Sequence, residues 1–125
     1  MDNLNKAQRH LRRRDDYYNN ALKYAAKGKF PKASEFLWGA VTQSLKALAA
    51  MRDINITTHA AFFGFTRDIS KELEDEEFHK SFLFLNTLHK NFYDEVIDPK
   101  DFQMYRKEAE SFLRKIEEIA KRIGQ

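Results

Sequence analysis

Apolar residues recur at three- and four-residue steps along almost the whole chain, and no stretch alternates convincingly at period two. The pattern therefore predicts helices and no sheet. The segment Phe30–Met51, FPKASEFLWGAVTQSLKALAAM, is the one the others are built around. Ala33, Leu37, Ala40, Ser44, Ala47, Leu48 and Met51 share one helix face, and Phe36, Val41 and Leu45 widen it beyond a narrow stripe. A helix apolar over so much of its circumference needs neighbours on more than one side. Small residues such as Gly39, Ala40 and Ala47 let those neighbours approach, and Trp38 fills space where they diverge. Pro31 falls in the first turn, where a missing N–H has no intrahelical partner to lose.

Four further helices follow from the same periodicity. The first spans about 3–26 with Leu4, Ala7, Leu11, Tyr18, Ala21, Leu22 and Ala25 inward, and Gly28 in KGK ends it. Its short connection to the central helix makes the two antiparallel. After Met51, RDINITT is the longest irregular segment, with Thr57 or Thr58 as cap for a third helix over about 58–73. That helix presents Phe62, Phe65, Ile69 and Leu73, although Gly64 at its middle costs about 1 kcal/mol against alanine. Asp75 caps a fourth, aromatic helix expected over about 75–96, carrying Phe78, Phe82, Leu85, Leu88, Phe92 and Val96. Asp98 and Pro99 open the fifth, whose face runs Phe102, Tyr105, Ala109, Phe112, Ile116, Ile119 and Ile123. The expected architecture is all-α: a five-helix up-and-down antiparallel bundle, with residues 1–125 as one domain.

Composition narrows the class. With 125 residues, 42% hydrophobic and 33% charged, the chain can bury a continuous core and is not disordered. No run reaches the roughly 20 apolar residues of a membrane span. The opening MDNLNKAQRHLRRRDD carries charge where a signal peptide needs an apolar segment, so a cytoplasmic location is the expectation. Without cysteine there is no disulfide and no thiolate chemistry. Net charge is +3, unevenly spread: residues 1–60 hold 11 Lys/Arg against 5 Asp/Glu, and residues 61–125 hold 11 against 14. Such asymmetry marks either a nucleic-acid face or a self-complementary dimer, or it has no functional cause.

Few residues carry a chemical signal. No glycine loop for phosphates occurs, and Glu76–His79 lacks the second Glu-x-x-His that a di-iron bundle needs, so it reads as a solvated surface pair. Arg9, Arg12 and Arg13 share roughly one helix face beside His10, a candidate phosphate-binding cluster because guanidinium forks suit phosphate oxygens. The bland alternative is a solvated face partly balanced by Asp15 and Asp16. His89, Asn91 and Tyr93 in LHKNFYDE form a polar group able to serve proton transfer, or else to close the bundle end with ordinary hydrogen bonds. Arg52 and His59 fit an Arg-x(4–6)-His spacing by their letters, but flank an irregular loop.

Taken together, KASEFLWGAVTQSLKALA, THAAFFGF, LHKNFYDE and EAESFLRKIEEI resemble the HEPN superfamily, and within it small archaeal and bacterial HEPN proteins. The resemblance implies a five-helix bundle that dimerises, needs no cofactor or metal, and in many relatives pairs with a minimal nucleotidyltransferase as a toxin–antitoxin module. Other relatives are metal-independent ribonucleases with an Arg-x(4–6)-His motif near the fourth helix. Here His89 stands near the expected arginine, and Tyr93 or Asp94 near the expected histidine, so the catalytic pattern is incomplete. The leading expectation is thus a homodimeric HEPN-like binding protein for a partner nucleotidyltransferase, a nucleotide or RNA. The alternatives are a divergent metal-independent endoribonuclease using His89, Asn91 and Tyr93, and a purely structural interaction module.

Overall fold

The computed structural model describes residues 2–88 and 97–123, and these form five helices and no strand. They are α1 (Asp2–Ala26), α2 (Phe30–Met51), α3 (His59–Leu73), α4 (Glu76–Leu85) and α5 (Pro99–Ile123). The all-α bundle expected from periodicity is the fold. No helix among the described residues is long and apolar enough to cross a membrane.

Three successive helices end in the same backbone device. After α1, the N–H groups of Gly28 and Lys29 return to the carbonyls of Ala25 and Tyr24, with Gly28 left-handed at φ 74°. After α2, Asp53 and Ile54 bond to Ala50 and Ala49 in the same way, and after α3, Glu74 and Asp75 bond to Lys71 and Ser70. This is the Schellman closure, which satisfies the last carbonyls of a helix by turning one residue left-handed. Only the first of the three is a glycine; Asp53 (φ 60°) and Glu74 (φ 52°) adopt the conformation despite a side chain. Two of the following helices, α3 and α4, start from side-chain caps: Thr58 Oγ1 accepts from the Ala61 N–H, and Asp75 Oδ1 from the Glu77 N–H.

The breadth of the apolar face on α2 explains its central place. It packs along α1 and also meets α5 and α3. Leu37, Val41, Leu45 and Leu48 are wholly buried, and Trp38 is buried between the His59 and Phe82 rings. α1 can lie close because Gly39 has no side chain: a Cβ there would stand 2.8 Å from Tyr17 Cδ2. The start of α1 is tied back to the end of α2, with Asn3 Nδ2 donating to Asp53 Oδ1 (3.2 Å) and Lys6 Nζ to Asn55 Oδ1 (3.0 Å). Across the bundle, Tyr18 on α1 donates a short hydrogen bond to Glu110 on α5, whose carboxylate also takes Arg106 at 3.0 Å.

Of the helix that the periodicity predicts over 75–96, α4 covers Glu76–Leu85; Asn86 forms a turn, and Thr87 and Leu88 are helical again. Polar side chains compete for the backbone here. Thr87 Oγ1 lies 2.7 Å from the Phe84 carbonyl and 2.6 Å from the Tyr105 hydroxyl, and Asn86 Oδ1 engages His59. His89, Asn91 and Tyr93, the proposed polar group of this helix, lie outside the described residues, as do Phe92 and Val96.

Candidate anion-binding groove

Helix spacing on α1 and α2 brings cations together beside the α2–α3 loop. Lys6, His10 and Arg13 follow one another at steps of four and three along α1, and Trp38, Thr42 and Lys46 at steps of four along α2. The facing loop, residues 52–58, is fixed at both ends and in the middle. Arg52 Nη1 grips both oxygens of Glu72 (2.8 and 2.7 Å), Ile56 inserts into the core, and Thr58 caps α3. Between loop and helices run two adjoining hollows. One, of about 130 Å³, is lined by Lys6, His10, Lys46, Asn55 and the isoleucines 54 and 56. The other, of about 250 Å³, is lined by Trp38, Thr42, Lys46, Thr57, His59 and Phe62, among others. Lys46 and Ile56 border both, and among the described residues no carboxylate lines either.

His10 sets the proton inventory of the smaller hollow. Its Nδ1 lies 2.7 Å from Gln43 Oε1. A carboxamide oxygen only accepts, so Nδ1 carries the hydrogen and, in the neutral ring, Nε2 keeps its lone pair. Burial first, then the charges of Lys46, Arg13 and Lys6, hold the imidazole below its ordinary 6.5, against the opposing pull of the Gln43 bond. The groove therefore combines fixed positive charge with a base that is neutral near pH 7. Its larger hollow adds aromatic surface, with the His59 ring 6.0 Å from Trp38 and 5.5 Å from Phe63 between centroids.

Of the residues singled out from the sequence, Arg9, Arg12 and Arg13 are all exposed on α1. Arg13 is close enough to His10 to influence it; Arg9 flanks the same edge, and Arg12 lies further round the helix. Asp15 pairs with Arg14 (2.8 Å). Arg14 also reaches Glu117 at 3.3 Å, which binds α1 to α5. Arg52 and His59 go to different partners, Glu72 and Asn86, so their sequence spacing builds no shared site. His79 turns away from Glu76: its Nδ1 meets Thr66 Oγ1 at 2.8 Å, while Glu76 approaches Lys80. His79 lines a cleft of about 560 Å³ at the α3–α4 corner, where Arg67, Lys71 and Lys80 are matched by Glu74, Asp75 and Glu76.

Sequence reasoning passed over Lys6, Gln43 and Lys46. A signal for them existed: Gln43 is a large uncharged polar residue in the midst of an apolar helix, and Lys6 shares a face with His10 and Arg13. What was missing was the knowledge that the loop after Met51 folds back over that face.

Fold and groove together define a small all-α bundle with a basic groove. Residues 9–113 match the model of the archaeal PaREP1/PaREP8 family, and the chain belongs to that family. No curated protein and no solved structure matches it.

Proposed function

We propose that this chain is a HEPN-like helical binding protein that takes a nucleotide or RNA on its basic groove. It works as a homodimer beside a partner minimal nucleotidyltransferase, in the manner of a toxin–antitoxin pair. The observation that carries the ligand class is the meeting of Lys6, His10 and Lys46 in a groove with no carboxylate among the described residues that line it. The exposed Arg9, Arg12 and Arg13 extend that positive field along α1. Phosphate contacts of this kind supply salt-dependent affinity for single strands. Exposed apolar side chains Leu83, Phe84 and Met104, on α4 and α5, support association with a second copy.

The test is fluorescence anisotropy with a labelled single-stranded RNA across a salt series. Binding should weaken with a log–log slope of about −0.7 for each phosphate engaged, and Arg9→Glu with Arg13→Glu should abolish it. Affinity indifferent to salt and to both reversals would remove the reading. Light scattering behind a sizing column tests the dimer, which a strict monomer at micromolar concentration rules out.

A second reading, a divergent metal-independent endoribonuclease, is favoured by one observation: a neutral imidazole stands among cations. In that role His10 would take the 2′-hydroxyl proton as that oxygen attacks the adjacent phosphorus. The bond to the 5′-oxygen breaks, that oxygen takes a proton from solvent, a 2′,3′-cyclic phosphate remains, and Lys46 and Lys6 face the charge on the phosphoryl oxygens. RNA incubated with the protein in a chelator should then be cleaved, and His10→Ala should stop the cleavage. Intact RNA, or cleavage indifferent to His10→Ala and to His89→Ala, discards it.

A further inference from the structure

The two hollows of the groove differ in chemistry. The smaller presents two ammonium groups, an imidazole and the Asn55 carboxamide within about 130 Å³. The larger, about 250 Å³, is walled by aromatic rings and by the hydroxyls of Thr42, Thr57 and Thr58. Neither alone reaches the roughly 300–1,000 Å³ usual for a small-molecule site, but together they do. Lys46 and Ile56 border both, so the two hollows adjoin.

Charge then selects the kind of phosphate. An internal phosphodiester carries one negative charge, whereas a phosphate monoester carries about −1.5 to −2 at pH 7. A hollow with Lys6 and Lys46 on its walls and Arg13 nearby gains from each added charge, and among the described residues no carboxylate on its walls repels it. The neutral His10 ring, held by Gln43, can accept a hydrogen from a monoanionic ester or take up a proton beside a dianionic one. Beside this hollow stands a surface with room for a base and sugar, formed by the exposed His59 side chain and the threonines 42, 57 and 58 over the buried Trp38 ring.

We infer that the groove takes a nucleoside phosphate monoester, its phosphate in the Lys6–His10–Lys46 hollow and its nucleoside in the larger hollow beside His59. The source is either a free nucleoside monophosphate or the phosphorylated end of an RNA. This inference rests on the anion-binding reading given above and narrows it to one ligand class. The α3–α4 cleft is larger, but its cations are matched by as many carboxylates, so it offers an anion no net attraction.

The chain holds a single tryptophan, and it lines the larger hollow, so its emission reports on occupancy. The full chain is titrated with adenosine and guanosine 5′-monophosphates, the matching nucleosides and inorganic phosphate. A saturable change with at least one monophosphate is expected, with nucleoside or phosphate alone weaker by about tenfold or more, the loss of one charge-assisted contact. Lys46→Gln and Lys6→Gln should each weaken the monophosphate by about tenfold with the helical circular dichroism retained, whereas Arg67→Gln in the other cleft should leave it unchanged. No saturable response, or one that both lysine variants keep, overturns the inference. Anisotropy with one RNA bearing a terminal phosphate or a terminal hydroxyl separates the sources. Preference for the phosphorylated RNA assigns the RNA end, and response to the mononucleotide alone assigns the free nucleotide and removes the RNA reading. Equal binding of both RNAs without a mononucleotide response overturns the monoester and leaves the wider reading standing; binding of neither RNA nor mononucleotide overturns both.

Discussion

Two glycines in helix interiors have opposite reasons for being there. At Gly64 a Cβ would meet nothing within 4 Å, so Gly64→Ala should raise stability by about 1 kcal/mol through helix propensity alone. At Gly39 the same change drives a methyl against the Tyr17 ring, and overpacking of about 1–3 kcal/mol outweighs a propensity gain of about 1 kcal/mol. Urea unfolding of both variants checks the pair. In a Tyr17→Ala background the Gly39 change should become stabilising, and a persistent loss there would refute the steric account. Tyr18 and Glu110 show a second kind of residue-level dependence. The Tyr18 bond, then Arg106, holds the Glu110 carboxyl below its ordinary 4.5; burial, then the Glu110 bond, pushes the Tyr18 phenol above 10.0. A depressed carboxyl contributes above its unfolded value and is lost as pH falls through the folded one. A raised phenol contributes below 10.0 and is lost as pH rises. Urea midpoints measured from acid to alkaline pH should therefore decline on both flanks, and Tyr18→Phe should flatten both. Parallel profiles for the two proteins would exclude this pair as the source.

At the scale of elements, the three left-handed helix ends decide what periodicity could and could not predict. Gly28 announces its corner in the sequence, because a left-handed residue is cheapest without a Cβ. Asp53 and Glu74 give no such notice, and the extents of α2 and α3 were legible only from where the apolar spacing stops. Glu74→Gly should stabilise by about 0.5–1 kcal/mol, the left-handed cost of about 1–2 kcal/mol relieved less the greater chain entropy of glycine. Asp53→Gly should gain less, since it also gives up the contact with Asn3. Thermal unfolding of the two variants checks the order, and a destabilised Glu74→Gly would mean that the corner is held by its side chain. The turn at Asn86 had a fainter cue. Asn86 and Thr87 interrupt an aromatic run that otherwise keeps helical spacing, but whether such residues bond to backbone and neighbours or face solvent depends on what packs opposite.

For the molecule as a whole, the core was open to sequence reasoning and the groove was not. Leu37, Leu45, Phe82, Phe102 and Ile116 are buried where their spacing places them, because burial on a helix follows from periodicity. A groove formed by a loop folding over two helices has no periodicity. Charge asymmetry between the chain's halves hinted at a basic face, and the arginine cluster drew attention to it. The lysines that line the hollows are spaced 40 positions apart, Lys6 from Lys46, and only the α1–α2 pairing joins them. The bond from Tyr18 to Glu110 spans a far longer interval, 92 positions. Closing so long an interval is slow compared with zipping neighbouring helices, so α1 and α2 assemble early and α5 docks late. Tyr18→Phe should then hasten unfolding while leaving the refolding rate in stopped-flow experiments unchanged. A slowed refolding limb would instead put that docking before the barrier, making the two ends of the chain partners in the folding nucleus.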